Sequence, residues 1–297
     1  MFNQRVNHLS RFTSNSASSR YFETLRGVIV KIGFLQLRPQ FGKIRENVRA
    51  AKSMLSDITD ATIVLPELFS TGYLFRNMDE VKKLSESAVT GFAVTELKKV
   101  AKKQNLNLVF GMAEAKARRY YNTSVLITAT GKVHTYQKAH LFDREKLFFQ
   151  PGTKSFAAHA VEGYKVGMMV CFDWFYPEVA RVLALNGAQV ICHPSNLVLP
   201  WCQDAMRTRS IENRVFSVTA NRIGTEKSGP ISLTFTGRSQ IVDPTGEVIA
   251  SIGERSEAVK IVEIDPAEAL DKHVTPNNDL FKDRKVALYK PITRKAS

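Results

Sequence analysis

Three segments of this chain each place a chemically capable side chain at the end of an apolar run. In Val166-Gly167-Met168-Met169-Val170-Cys171-Phe172-Asp173-Trp174-Phe175-Tyr176-Pro177-Glu178, an apolar strand runs into Cys171, and a helix is expected from Pro177, where a proline in the first turn costs no hydrogen bond. A cysteine on such a strand-to-helix turn is presented as a nucleophile, with nearby backbone N–H groups available to hold an oxyanion. The plainer alternative is a small buried hydrophobe, the commoner fate of a lone strand-end cysteine. In Ile63-Val64-Leu65-Pro66-Glu67-Leu68-Phe69, a carboxylate directly follows an apolar strand, where desolvation would raise its pKa and suit Glu67 to general-base work. Its alternative is a glutamate exposed to water. In Tyr136-Gln137-Lys138-Ala139-His140-Leu141-Phe142, Lys138 ends an alternating strand, where a fixed ammonium would stabilise developing negative charge. An ordinary surface lysine is the commoner case.

The elements that must position these groups alternate along the chain. Strands are expected over 28–37, 61–65, 107–113, 123–128, 133–137, 166–170, 189–193, 216–221 and 239–242, and helices over 44–57, 91–104, 177–186 and 204–213. Thr130-Gly131-Lys132 and Asp243-Pro244-Thr245-Gly246 have the composition of hairpin turns. Strand–helix alternation mixed with hairpins predicts an α/β fold with mixed sheets and helices outside.

Bulk properties narrow the function classes. No run approaches the roughly 18 to 20 apolar residues that span a bilayer, so no membrane association is expected. Three cysteines, Cys171, Cys192 and Cys202, are an odd number without metal-type spacing, which fits a reducing cytoplasm and neither a disulfide framework nor a zinc site. Cys192, inside an apolar strand, and Cys202 are read as structural, with the alternative that the loop Leu199-Pro200-Trp201-Cys202 borders the site. The net charge of +14 invites a nucleic-acid reading, but the basic residues are dispersed and interleaved with acids, so no nucleic-acid partner is expected. Residues 1–27 are rich in Ser and Arg with the single acid Glu23. They read as a basic, disordered extension or a start placed too far upstream, with a targeting peptide as the alternative, and residues 28–297 form one domain with a C-terminal tail.

The three segments stand in the order and approximate spacing of the Glu-Lys-Cys triad of the nitrilase superfamily of carbon–nitrogen hydrolases. The chain resembles that family over about residues 28–290, including Gln150-Pro151-Gly152 and His193-Pro194-Ser195-Asn196. Cys171-Phe172-Asp173-Trp174 and the tail Asn278-Asp279-Leu280-Phe281-Lys282-Asp283-Arg284 look most like its archaeal-type nitrilase and aliphatic amidase branch. The resemblance implies a four-layer αββα sandwich with two central mixed sheets, assembled as a homodimer or higher homo-oligomer. It implies Cys171 as nucleophile, Glu67 as general base and Lys138 as transition-state stabiliser, with no metal or organic cofactor. Glu145, in Asp143-Arg144-Glu145-Lys146, matches the family's second glutamate, against the alternative of a surface charge run. The substrate is then a small-molecule amide or nitrile. Dedicated nitrilases commonly have Cys-Trp-Glu at the nucleophile, and the departure here favours a small aliphatic or carbamoyl amide, with an aliphatic nitrile as alternative. Phe172 would lend its backbone N–H to the oxyanion, and Trp174, Asn196, Tyr73 and Trp201 are pocket candidates, core packing being an equal account of the two tryptophans. A non-catalytic nitrilase-like binding protein stays in play, although such a protein has no need of all three triad residues. Acyl transfer to an amine would use the same residues.

Overall fold

The structure is a computed structural model and describes residues 28–294; the expected extension over residues 1–27 lies outside them. The chain opens with β1 (Val30–Gln36), α1 (Ile44–Met54), β2 (Ala61–Val64), α2 (Met78–Leu84), α3 (Phe92–Gln104), β3 (Leu106–Lys116), β4 (Arg119–Ile127), β5 (Val133–Gln137) and α4 (Glu145–Phe148). It continues with β6 (Ala158–Val161), β7 (Tyr164–Met168), a 3-10 turn at Cys171–Phe175, α5 (Pro177–Leu185), β8 (Val190–Pro194), α6 (Cys202–Asn213) and β9 (Phe216–Ala220). A hairpin of β10 (Ile223–Ser228) and β11 (Ile231–Thr236) follows, then β12 (Gln240–Val242), β13 (Val248–Ser251) and β14 (Ala258–Ile264).

The strands form two six-stranded mixed sheets, ordered β14-β1-β2-β3-β4-β5 and β13-β12-β9-β8-β7-β6. In both, a parallel trio occupies the middle, β1-β2-β3 in one and β7-β8-β9 in the other, with antiparallel strands outside it. Central strands buried on both faces carry near-continuous apolar sequence, as the fully buried Ala-Thr-Ile-Val of β2 does.

Alternation sorts the side chains into layers. In β1, Ile32 and Phe34 face the second sheet and join Val64, Val109, Met168, Ile191 and Val218 in the inner core. Leu35 and Leu37 point the other way, against Val48 and Ala51 of α1, Leu55 just after it, and Val94, Leu97 and Ala101 of α3. These helical positions recur at three- and four-residue spacing, the stripe an amphipathic helix buries. On the far side, Val179, Ala180 and Leu183 of α5 and Cys202 and Met206 of α6 cover the second sheet. The result is the expected αββα sandwich. α5 starts on Pro177 and stops before Gly187, whose φ of +88° a side chain would resist.

Candidate active site

The candidate residues converge at the carboxyl ends of parallel strands, where open α/β sheets present ligand sites. Glu67 follows β2, Cys171 follows β7, Asn196 follows β8, and Lys138 follows the edge strand β5. Glu67 is reached through a tight crossing. A Cβ on Gly111 of β3 would lie 2.5 Å from the Cα of Glu67, so only glycine lets the backbones approach this closely. Gly152 does the same for the lysine: its N–H donates to the carbonyl of Lys138 at 2.8 Å, and a Cβ there would meet the Gln137 carbonyl at 2.0 Å.

Glu67 and Lys138 are completely buried, and Glu145, at the start of α4, is 4% exposed, so neither carboxylate is a surface charge. The Lys138 Nζ lies 2.7 Å from Glu67 Oε1 and 2.9 Å from Glu145. An ammonium has three protons, so two carboxylates leave it one for a further acceptor. Asn122 Nδ2 also donates to Glu67 Oε1, at 2.7 Å. The other oxygen, Glu67 Oε2, is buried and has no partner among the described residues. Burial pushes the Lys138 ammonium down, but the charges of Glu145 and Glu67 more than reverse this and hold it above its ordinary value. Burial, with help from Glu67, pushes the Glu145 carboxyl up to about 7 against the pull of Lys138. The Tyr73 hydroxyl donates to Glu145 Oε1 at 2.9 Å.

Cys171 sits at φ +40°, a left-handed conformation costly for a residue with a Cβ. A one-turn 3-10 segment separates it from α5, so the strand does not pass directly into the helix. Its thiol is raised well above the ordinary range, chiefly by burial and then by the charge of Glu67, with Lys138 and the Asn196 backbone N–H opposing. The resting sulfur is therefore a thiol, and attack requires that a base take its proton as the bond forms.

The strained turn is held from two sides by residues that the sequence reading did not single out. Asp173 is fully buried and accepts from Tyr136 Oη (2.8 Å) and Val170 N–H (2.9 Å) on Oδ2, and bonds His140 N–H (3.3 Å) and Nδ1 (2.8 Å) on Oδ1. Since Tyr136 and His140 flank Lys138, one carboxylate ties the cysteine turn to the lysine segment. His193 Nε2 bonds the Cys171 carbonyl at 2.9 Å, and burial holds this imidazole down at about 4, hence neutral. A carboxylate two residues after a candidate nucleophile was the available signal for Asp173.

Phe172, Trp174 and Asn196 line a small open recess beside Cys171 with Phe142, Leu197 and Val198. Both polar atoms of the Asn196 side chain are buried without a partner among the described residues. Tyr73 and Glu145 line an adjoining recess that shares Phe142. Trp201 is not part of either. It is 57% exposed, because it precedes α6 and turns outward. Cys202, the first residue of α6, is fully buried against the outer face of the second sheet and does not border the recess.

A four-layer αββα fold with a buried cysteine, lysine and glutamate at its strand ends, and a second glutamate at the start of a short helix beside them, is the architecture of the nitrilase superfamily. The chain belongs to the carbon–nitrogen hydrolase family, whose model matches residues 30–271. It is similar to a nitrilase of Pyrococcus abyssi, 40% identical over 88% of this chain and 99% of that one. It is 30% identical to an (R)-stereoselective amidase of a Pseudomonas species, over 87% of this chain and 93% of the relative. Among solved structures, a carbon–nitrogen hydrolase from Helicobacter pylori superposes with a TM-score of 0.81 at 24% identity, covering 91% of this chain and 100% of that one.

Proposed function

We propose that this carbon–nitrogen hydrolase cleaves a small, uncharged aliphatic amide to acid and ammonia through a thioester on Cys171. The observation that carries the reading is the arrangement of Glu67: Lys138 and Asn122 occupy Oε1, while buried Oε2 is left without a partner in the field that acts on Cys171. That oxygen takes the thiol proton as sulfur attacks the carbonyl carbon. The negative charge gathering on the carbonyl oxygen is met by the third proton of Lys138 and by the Phe172 N–H, which donates to no group among the described residues. Glu67 then hands the proton to the departing nitrogen, ammonia leaves, and water deprotonated by Glu67 releases the acid. Glu145 fixes Lys138 throughout.

The substrate reading rests on the recess. Its walls at Phe142, Phe172, Trp174, Leu197 and Val198 are apolar, and its polar feature is the unpartnered Asn196 amide, which pairs with a neutral amide and offers no countercharge to an ionic substituent. A carbamoyl amide carrying a charged tail fits this wall less well. Nitrile hydrolysis is the second reading, favoured by the 40% identity to a protein named nitrilase. The test is ammonia release from a panel of short aliphatic amides, carbamoyl amides, and mono- and dinitriles, with Cys171→Ala beside it. Release from amides, lost in the variant, supports the first reading. Direct acid formation from nitriles without activity on the amides supports the second, and silence across the panel overturns both.

A further inference from the structure

We propose that the buried ion pair Arg222–Glu226 is a positioning device for this reaction, acting through Tyr73 on Glu145 and Lys138; it rests on the roles assigned to those two residues above. Arg222 and Glu226 are 1% and 6% exposed and are bonded to each other at the start of the β10–β11 hairpin. Arg222 Nη2 also donates to the Pro39 carbonyl at 3.0 Å, and its guanidinium lies 4.1 Å from the ring centre of Phe235 on β11. The pair is thereby anchored to the loop after β1 and to both hairpin strands.

Glu226 spends its second oxygen on the site. Oε2 accepts the backbone N–H groups of both Tyr73 and Leu74, each at 2.9 Å. Oε1 reaches so close to the turn before them that a Cβ on Gly72, at φ +79°, would lie 2.8 Å from it. The Tyr73 ring is gripped edge-on by Phe235, with centroids 5.9 Å apart and planes at 83°. Held at both backbone and ring, Tyr73 delivers its hydroxyl to Glu145 Oε1, and Glu145 meets the ammonium that Glu67 also holds. A continuous chain of bonds thus runs from the hairpin to the lysine. A buried ion pair is a weak source of net stability, because desolvation offsets most of the attraction. Its geometric reach into the site is the property an apolar replacement could not reproduce.

A double-mutant cycle tests this, using the full-length protein and propionamide turnover. Glu226→Gln and Tyr73→Phe are each expected to lower kcat about tenfold with smaller changes in KM, and the double variant should be no worse than the poorer single one, because the pair acts through the tyrosine hydroxyl. Both singles should also move the acid limb of the kcat profile to higher pH, since Glu145 loses a donor to its ionised form. Independent, multiplicative losses, or an unshifted acid limb per folded molecule, would overturn the proposal. Should Glu226→Gln not fold, Phe235→Leu, which loosens the tyrosine while keeping the charges, replaces it in the same cycle with the same two criteria. Turnover that survives in Cys171→Ala overturns the underlying mechanism, whereas additive losses beside an inactive Cys171→Ala overturn this proposal alone.

Discussion

At the scale of single residues, the site concentrates two carboxylates, one ammonium and one thiol out of reach of water, so each group's state is set by its neighbours. Glu145 is the clearest case. Its folded carboxyl is raised to about 7, first by burial, above the roughly 4.3 of an unfolded chain. A raised carboxyl binds its proton more tightly when folded, so its contribution is fully present below the unfolded value and is lost as pH rises through the folded one. Glu145→Gln, an uncharged mimic of the protonated side chain, is therefore expected to match the parent's melting temperature near pH 4 and to gain on it progressively up to pH 8. A constant offset between the two melting curves across that range would refute the linkage. Asn196 makes a second prediction at this scale. Neither polar atom of its buried amide has a partner among the described residues, a cost of about 1 to 3 kcal/mol per group that a bound amide would relieve. Asn196→Ala should raise KM about tenfold or more while leaving thermal stability equal or improved, and steady-state kinetics with a melting curve decide it.

At the scale of elements, three strand ends must deliver groups from two different sheets to one point, and the joints between them hold the geometry. Asp173 is the principal joint, with three bonds that tie the Cys171 turn to residues on both sides of Lys138 and a fourth, to Val170 N–H, inside the turn. Asp173→Asn turns two of its acceptor positions into donors that face existing N–H or O–H groups. The expected cost is about 2 to 4 kcal/mol of stability and a loss in kcat of about a hundredfold, measured on the folded fraction. Retention of parental kcat would show that the turn keeps its left-handed nucleophile without this strap. Part of this was legible beforehand. The apolar runs that end in Glu67, Lys138 and Cys171 define strands whose ends carry function, and β5 and α5 fall close to where periodicity and Pro177 put them. The β10–β11 hairpin went unread, although Ile-Gly-Thr-Glu-Lys-Ser and Ile-Ser-Leu-Thr-Phe-Thr flank a Gly229-Pro230 turn, because its faces alternate only weakly. β14 was also missed, although Ala-Val-Lys-Ile-Val-Glu-Ile is rich in β-branched residues; what no local pattern marks is its pairing with β1, more than 200 positions away.

At the scale of the whole molecule, two sheets of the same parallel-centred plan stack face to face, and the stacking is mostly apolar. Among the polar contacts that cross it, Thr62 Oγ1 of β2 lies 2.5 Å from Tyr164 Oη of β7. Tyr164→Phe should cost about 1 kcal/mol, a fall in melting temperature of about 2 °C, without altering kcat. A large loss of activity instead would mean that the relative placement of the sheets is set here and felt at their far ends. The amino-acid sequence by itself determined the α/β class, the strand ends and Cys171, Glu67 and Lys138 as candidates, because periodicity, breakers and residue type are local properties, while the four layers and Glu145 followed from the resemblance to a family. Only the tertiary structure decided that Lys138 stands between two carboxylates, that Glu67 Oε2 has no partner among the described residues, that Trp201 turns away, that Asn122, Arg222 and Glu226 join the bonds around the lysine, and that Asp173 braces the cysteine turn. Those facts depend on distances between segments tens to hundreds of residues apart, and such distances are set by how the two sheets pack, which no local pattern encodes.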